Sequence, residues 1–149
     1  MPLCPVVAPT SSMSVLEKRD VILKLEDAIK SLPNCKDDGT DMTDHDFLEG
    51  VYLRTCTIPQ GMVVTGKIHK YPCLNVITMG RCLVFSEEMD APKEYKAGDV
   101  FPSGAGIKKA VYAIEETKFM NTFSMEEVAV EEIDDLLTLP SYDLIEEMS

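Results

Sequence analysis

Two histidines, His45 and His69, and five cysteines, Cys4, Cys35, Cys56, Cys73 and Cys82, make up the imidazole and thiol inventory of this 149-residue chain. The cysteine number is odd and no pair has CxxC spacing, which argues against a disulfide framework or a zinc finger and for reduced thiols. His69 sits in the one stretch where chemically capable types crowd together, Lys67-Ile-His69 with Cys73 four residues on. Imidazole and thiolate are ligands for transition metals, whereas a lysine ammonium repels a cation and serves an anion as a point charge. Other catalytic signatures are missing from the sequence: it has no HExxH, no G-x-S-x-G and no glycine-rich phosphate loop. The acid pairs Glu87-Glu88, Glu115-Glu116 and Glu131-Glu132 are adjacent. Neighbours on a strand point to opposite faces, so these pairs read as solvated charges. His45, in Thr43-Asp-His-Asp-Phe-Leu48, reads as part of a loop–helix junction and is assigned no chemistry.

The elements that must position these residues fall into three segments, 1–50, 51–123 and 124–149. In the first, Ser14-Val-Leu-Glu17 has the spacing of a capping box. Val15, Ile22, Leu25, Ile29 and Leu32 then recur at helical spacing up to Pro33. Residues 2–12 read as an arm and residues 34–43 as a loop. The middle segment carries short β-rich runs near Val51–Ile58, Val63–Ile68, Leu74–Thr78, Cys82–Ser86, Lys93–Tyr95, Asp99–Phe101, Lys109–Ala113 and Phe119–Phe123, split by glycine, proline and aspartate signals. Strands at that spacing predict a sandwich or barrel. In the third segment, Ser124-Met-Glu-Glu127 has capping-box spacing with Phe123 and Val128 as a hydrophobic staple. Val130, Ile133 and Leu137 supply a helix face before Pro140, and Tyr142–Met148 reads as a short amphipathic turn.

Hydrophobic residues are 45% of the chain and charged residues 27%, ordinary for one soluble domain with its own core. No apolar run approaches the ~20 residues needed to span a bilayer. Met1-Pro-Leu-Cys-Pro has no basic region followed by an apolar core, so no signal peptide is expected and synthesis is expected to be intracellular. The net charge of -12 is uneven: residues 126–149 hold nine carboxylates and no lysine or arginine, leaving residues 1–125 with 14 basic and 17 acidic side chains. Repulsion of that size from phosphates disfavours nucleic acid as a partner.

The middle segment resembles the cupin superfamily. Cupins carry a first motif G-x5-H-x-H-x3-E-x6-G, and here Gly61 is followed at those intervals by Lys67, His69, Cys73 and Gly80. The second motif, G-x5-P-x-G-x2-H-x3-N, falls from Gly98 onto Gly104, Gly106, Lys109 and Ala113. An alternative register, with Pro102-Ser-Gly104 as the P-x-G, places Ile107 at the ligand position. The resemblance covers about half of the chain and implies a mainly β fold, a jelly-roll β-barrel with an N-terminal helix and an acidic helical tail. It also implies that the metal-ligand set of active cupins is replaced here by Lys67, His69, Cys73 and Lys109. No cofactor or metal is therefore expected, and these residues become a candidate anion site with no catalytic role. Val64-Thr-Gly-Lys-Ile-His69, Leu74-Asn-Val-Ile-Thr78 and Gly106-Ile-Lys-Lys-Ala110 also resemble small cupin-like proteins of tailed bacteriophages. That resemblance implies a non-enzymatic protein, either an accessory head or tail component of a virion or a partner-binding protein in the host cytoplasm. The expected partners are protein, with a homo-oligomer (a dimer first), and neither nucleic acid nor membrane. The alternative implied by the same positions is a small-anion-binding or metal-dependent cupin enzyme using the barrel interior, or a protein that sequesters a host metabolite.

Overall fold

A computed structural model describes residues 13–32 and 42–148. The expected N-terminal arm, most of the loop after the first helix, Cys4 and Cys35 lie outside the described residues. Helix α1, Val15–Lys30, begins as its sequence predicts: the Ser14 hydroxyl oxygen accepts the Glu17 N–H at 3.2 Å and donates to the Glu17 carboxylate. Ten strands follow, β1 (Thr43–Leu48), β2 (Val51–Ile58), β3 (Val63–Thr65), β4 (Ile68–His69), β5 (Cys73–Met79), β6 (Arg81–Phe85), β7 (Lys93–Lys96), β8 (Val100–Ser103), β9 (Ala110–Ala113) and β10 (Thr117–Ser124). Helix α2 (Val130–Leu137), a two-residue strand β11 (Thr138–Leu139) and a 3-10 helix (Tyr142–Met148) complete the chain. No helix among the described residues is long and apolar enough to cross a membrane.

The strands form a jelly-roll barrel. One sheet has the order β1-β2-β10-β5-β8, the facing sheet β3-β9-β6-β7, and every pairing is antiparallel. Neighbours in these sheets are mostly distant in sequence, the mark of Greek-key winding. Ile58, Ile77, Phe101 and Phe119 from the first sheet meet Cys82, Val84, Tyr95, Val111 and Ala113 from the second in a filled apolar core. Tyr95 stacks on Phe101 across the two sheets at 3.9 Å between ring centres. Phe119 closes on Phe101 edge-on.

Three expectations are corrected, and the apolar stripe of α1 is only partly buried. The sheet begins at Thr43, because Thr43, His45 and Phe47 alternate inward against outward Asp44, Asp46 and Leu48 and pair along β2. His45 is thus a strand residue, not part of a loop–helix junction. Ser124 does not cap a helix: β10 continues through it, opposite Val51, and α2 starts six residues later. There Ala129 has no side-chain acceptor, and only the Glu132 carboxylate reaches back, 3.3 Å from the Ala129 N–H. On α1, Ile22 is fully buried, while Val15 and, two residues past the helix end, Leu32 from the same apolar stripe are exposed. Glu87 is buried rather than solvated, accepting from Arg19 Nε of α1 at 2.8 Å. Tertiary packing overrides local pattern in each case, since burial is decided by what lies across from a residue.

The β5–β6 turn depends on Gly80. Its φ is +84°, and a Cβ there would stand 2.0 Å from the Glu116 carbonyl oxygen. Gly98 has φ +96° with open space around it. Gly80→Ala is expected to destabilise the chain by roughly 3 kcal/mol or more, from backbone strain plus displacement of the 116–117 backbone. Gly98→Ala should cost only about 1–2 kcal/mol, from the left-handed conformation alone. Urea midpoints at unchanged slope measure both.

Candidate functional site

Strand register builds the interior of the five-stranded sheet in rows. Towards one end, Cys56 opposes Phe119, which opposes Ile77, extending the apolar core. In the next inward row His45 opposes Arg54, Arg54 opposes Asn121, Asn121 opposes Asn75, and Asn75 opposes Phe101. Beyond it lie Phe47, Tyr52 and Phe123, with Cys73 opposite Ser103. A polar layer is therefore enclosed between two apolar ones.

Such a layer is tolerated only if its groups are paired. Asn75 is fully buried and its amide donates to the Phe101 carbonyl at 3.0 Å and the Ser103 hydroxyl at 2.8 Å. Its own carbonyl accepts from Asn121 at 2.6 Å. Lys109, 6% exposed, donates to the same Ser103 hydroxyl at 3.3 Å. Among the described residues no carboxylate lies within ion-pair distance of it. Burial depresses its pKa, only partly offset by Cys73 and Glu88. His45 Nδ1 lies 2.6 Å from the Tyr52 hydroxyl. Burial depresses the His45 pKa, and Arg54 adds to that.

The chain crosses this layer again at β4. The His69 backbone is held on both sides: its N–H donates to Ile107 at 3.2 Å, and its carbonyl accepts from Gly106 at 2.7 Å. Its ring packs edge-on against Phe123, with Nδ1 3.9 Å from Cys73 Sγ. Burial first, then Lys109 and Arg54, push its pKa down to about 3, so the imidazole is neutral at physiological pH. Burial raises the Cys73 pKa despite Lys109, which describes an unreactive thiol.

The third apolar layer is closed by the tail. Ile133 and Leu137 of α2 are buried against Tyr52, Cys73 and Phe123. Strand β11 pairs with β4, placing Thr138 opposite His69, and Lys70 N–H donates to the Leu137 carbonyl at 2.7 Å. The acidic helix thus docks on its own barrel. Asp134 Oδ1 lies 3.6 Å from Arg54 Nη1, and its Oδ2 pairs with Lys67 Nζ.

Of the four residues singled out by sequence, His69, Cys73 and Lys109 converge on the interior, while Lys67 turns to α2. Sequence reasoning missed Arg54, Asn75 and Asn121, which only the strand register aligns. The donors do not fit a divalent cation of the kind active cupins hold. His69 and Cys73 are two ligands at most, and the remaining two positions are lysines, one of them buried beside the thiol. Among the described residues no three His, Cys, Asp or Glu side chains come together as a metal ligand set.

No protein-family model matches the chain, and no curated protein sequence is similar to it. Solved structures are similar to it at low identity. KdgF from Halomonas sp. is 15% identical, with 64% of this chain and 82% of that one covered and a TM-score of 0.49. An RmlC-like cupin with a double-stranded β-helix fold from Methanocaldococcus jannaschii is 17% identical, covering 55% and 79% at a TM-score of 0.45. A cupin superfamily protein from Desulfitobacterium hafniense is 14% identical, covering 57% and 76% at a TM-score of 0.45. None of these likenesses carries residues over to this chain.

The depressed His69 pKa makes stability pH-dependent. The unfolded imidazole, near 6.5, takes up a proton that the folded one refuses until about pH 3. Its contribution is complete above pH 6.5 and is lost as pH falls through that window, by up to about 1.4 kcal/mol per pH unit. Denaturation curves between pH 7 and 4.5 should show a shallower fall for His69→Gln than for the wild type.

Proposed function

We propose that this chain is a non-enzymatic binding protein on a cupin-like barrel, acting as an accessory component of a phage particle or as a partner-binding protein in the infected cell. The observation that carries this reading is the fate of the four positions where active cupins hold their ion. Lys67 is engaged with Asp134, Lys109 is buried on Ser103, His69 is packed under Phe123, and Cys73 lies in the apolar cluster that α2 seals. A set containing two lysines supplies neither Lewis acid nor activated water.

The outer face of the five-stranded sheet supports association. Leu48, Val51, Leu74 and Val100 are exposed there, beside Pro102 and a shallow depression at Gly50, Pro72 and Ser124. Contiguous apolar surface of this sort marks an interaction site, and a dimer of identical faces is the simplest closed arrangement.

Elemental analysis of gently purified protein should find less than about one-tenth of an iron, manganese, nickel or zinc per chain, set against the tight binding that a competent site gives. One ion per chain, lost on His69→Ala, refutes the non-enzymatic reading. Light scattering at micromolar concentration should give a dimer that Leu74→Glu converts to monomer. Affinity capture from infected cells, read by mass spectrometry, should return particle or host proteins with the wild type and lose them with Leu74→Glu.

A further inference from the structure

Four strand ends meet at one rim of the barrel: β2 and β5 begin there, and β10 and β8 end there. Between them lies an open groove of about 480 Å³, within the roughly 300–1,000 Å³ that small-ligand sites occupy. In a chain of net charge -12, its lining holds no charged side chain. Val51, Pro72, Leu74, Pro102 and Phe123 make it largely apolar. Ser103 also lines it, and is 5% exposed where Leu74 is 50% exposed, so this hydroxyl lies deeper than the apolar rim.

Ser103 has one hydrogen bond still to give. The Asn75 amide donates to it at 2.8 Å, and that amide cannot be reversed, because the same nitrogen donates to the Phe101 carbonyl. The Lys109 ammonium, which has donors only, takes the second lone pair at 3.3 Å. Both acceptor places of Ser103 are thus filled from inside the barrel, and its hydroxyl proton has no acceptor among the described residues. Two donors onto one hydroxyl also polarise it and strengthen the bond it gives. Lys109, behind it, has no carboxylate within ion-pair distance among the described residues. Glu88, exposed on the neighbouring loop, is turned to the Gly104 N–H at 3.2 Å.

We infer that this groove binds a small molecule with a carboxylate head and a short aliphatic body. The head accepts from the Ser103 hydroxyl in the field of Lys109, and the body lies on Val51, Leu74 and Pro102. The inference rests on the reading of the chain as a binding protein without a resident metal, and it gives that reading a class of ligand. Val51 and Leu74 also belong to the face proposed for association, so the ligand and a second copy exclude each other there.

Amide NMR titration of the full chain with hexanoate, against sodium chloride at equal ionic strength, tests this. Saturable shifts should centre on Gly50, Val51, Cys73, Leu74, Ser103 and Gly104. Hexanamide, with the same body and no charge, should bind about tenfold more weakly. Acetate, with the head and almost no body, should lose at least about tenfold as well. Ser103→Ala and Lys109→Met should each weaken hexanoate by about tenfold or more. Ser103→Ala leaves the outer face of the sheet unchanged and should dimerise like the wild type in light scattering. Saturating hexanoate should lower the dimer fraction of the wild type. The ligand series needs no variant and decides the matter should Ser103→Ala fail to fold.

Absence of saturable shifts with hexanoate overturns the site. Equal affinity for hexanamide overturns the carboxylate head, and unchanged binding in Ser103→Ala overturns the role of the hydroxyl. An unchanged dimer fraction under saturating hexanoate overturns the exclusion. The proposed function is read separately: a dimer that binds no hexanoate removes this site and leaves the association face, and a monomer that binds it does the reverse. One metal ion per chain fails the metal-free premise whatever the titration gives.

Discussion

Enclosing a row of polar side chains inside a small β-barrel constrains everything around it. Each donor and acceptor in the row must meet another, because an unpaired one costs a few kcal/mol. Asn75 satisfies this constraint at the centre, taking Phe101 and Ser103 on one side and Asn121 on the other. Ser103 then serves both Asn75 and Lys109. One end of the layer is sealed by the Tyr95–Phe101–Phe119 ring cluster. The other would open to water through the Tyr52–Phe123 layer if α2 did not cover it. The docking of the tail, the depressed pKa of His69 and the inertness of Cys73 all follow from that closure.

The acidity of the tail gains an intramolecular meaning. Residues 126–149 carry nine carboxylates and no basic residue, a composition that in isolation repels itself. On the barrel, Asp134 meets Arg54 and Lys67, and the Lys70 ammonium sits at the carbonyl end of α2, where a cation suits the helix dipole. The first turn of α2 carries Glu131 and Glu132 at its positive end. Charge and apolar burial thus act in the same direction, which is the condition for a single docked state.

The N-terminal helix is tied down by a second buried group. Glu87 accepts from Arg19 of α1, and Arg19 lies 4.7 Å from the centre of the Tyr142 ring in the terminal 3-10 helix. Burial raises the Glu87 pKa even with Arg19 beside it. The other Glu87 oxygen and the Tyr142 hydroxyl are buried without a hydrogen-bond partner among the described residues. On the same helix Glu26 accepts from Lys108 at 2.5 Å and Thr65 at 2.9 Å. Lys108 and Lys109, adjacent in sequence, therefore face opposite ways, one pinning α1 and one lining the interior.

Local chemistry determined the strand runs from Val51 onward, the Ser14-capped helix and the apolar face of α2, because turn residues, alternation and caps act over a few residues. Glycine spacing also singled out His69, Cys73 and Lys109, and the tertiary structure brings those three together. The partners of those residues were another matter. Arg54, Asn75 and Asn121 lie on three strands, and nothing in their neighbourhoods distinguishes them from surface residues until antiparallel register puts them in one row. For the same reason His45 read as part of a loop–helix junction and Glu87 as a solvated charge. Asp134 was one acid among nine, and only the fold of the tail onto β4 selects it. Burial and pairing are long-range properties, set by what the chain brings across from a residue, and the sequence alone determines just what each residue can do once that neighbour arrives.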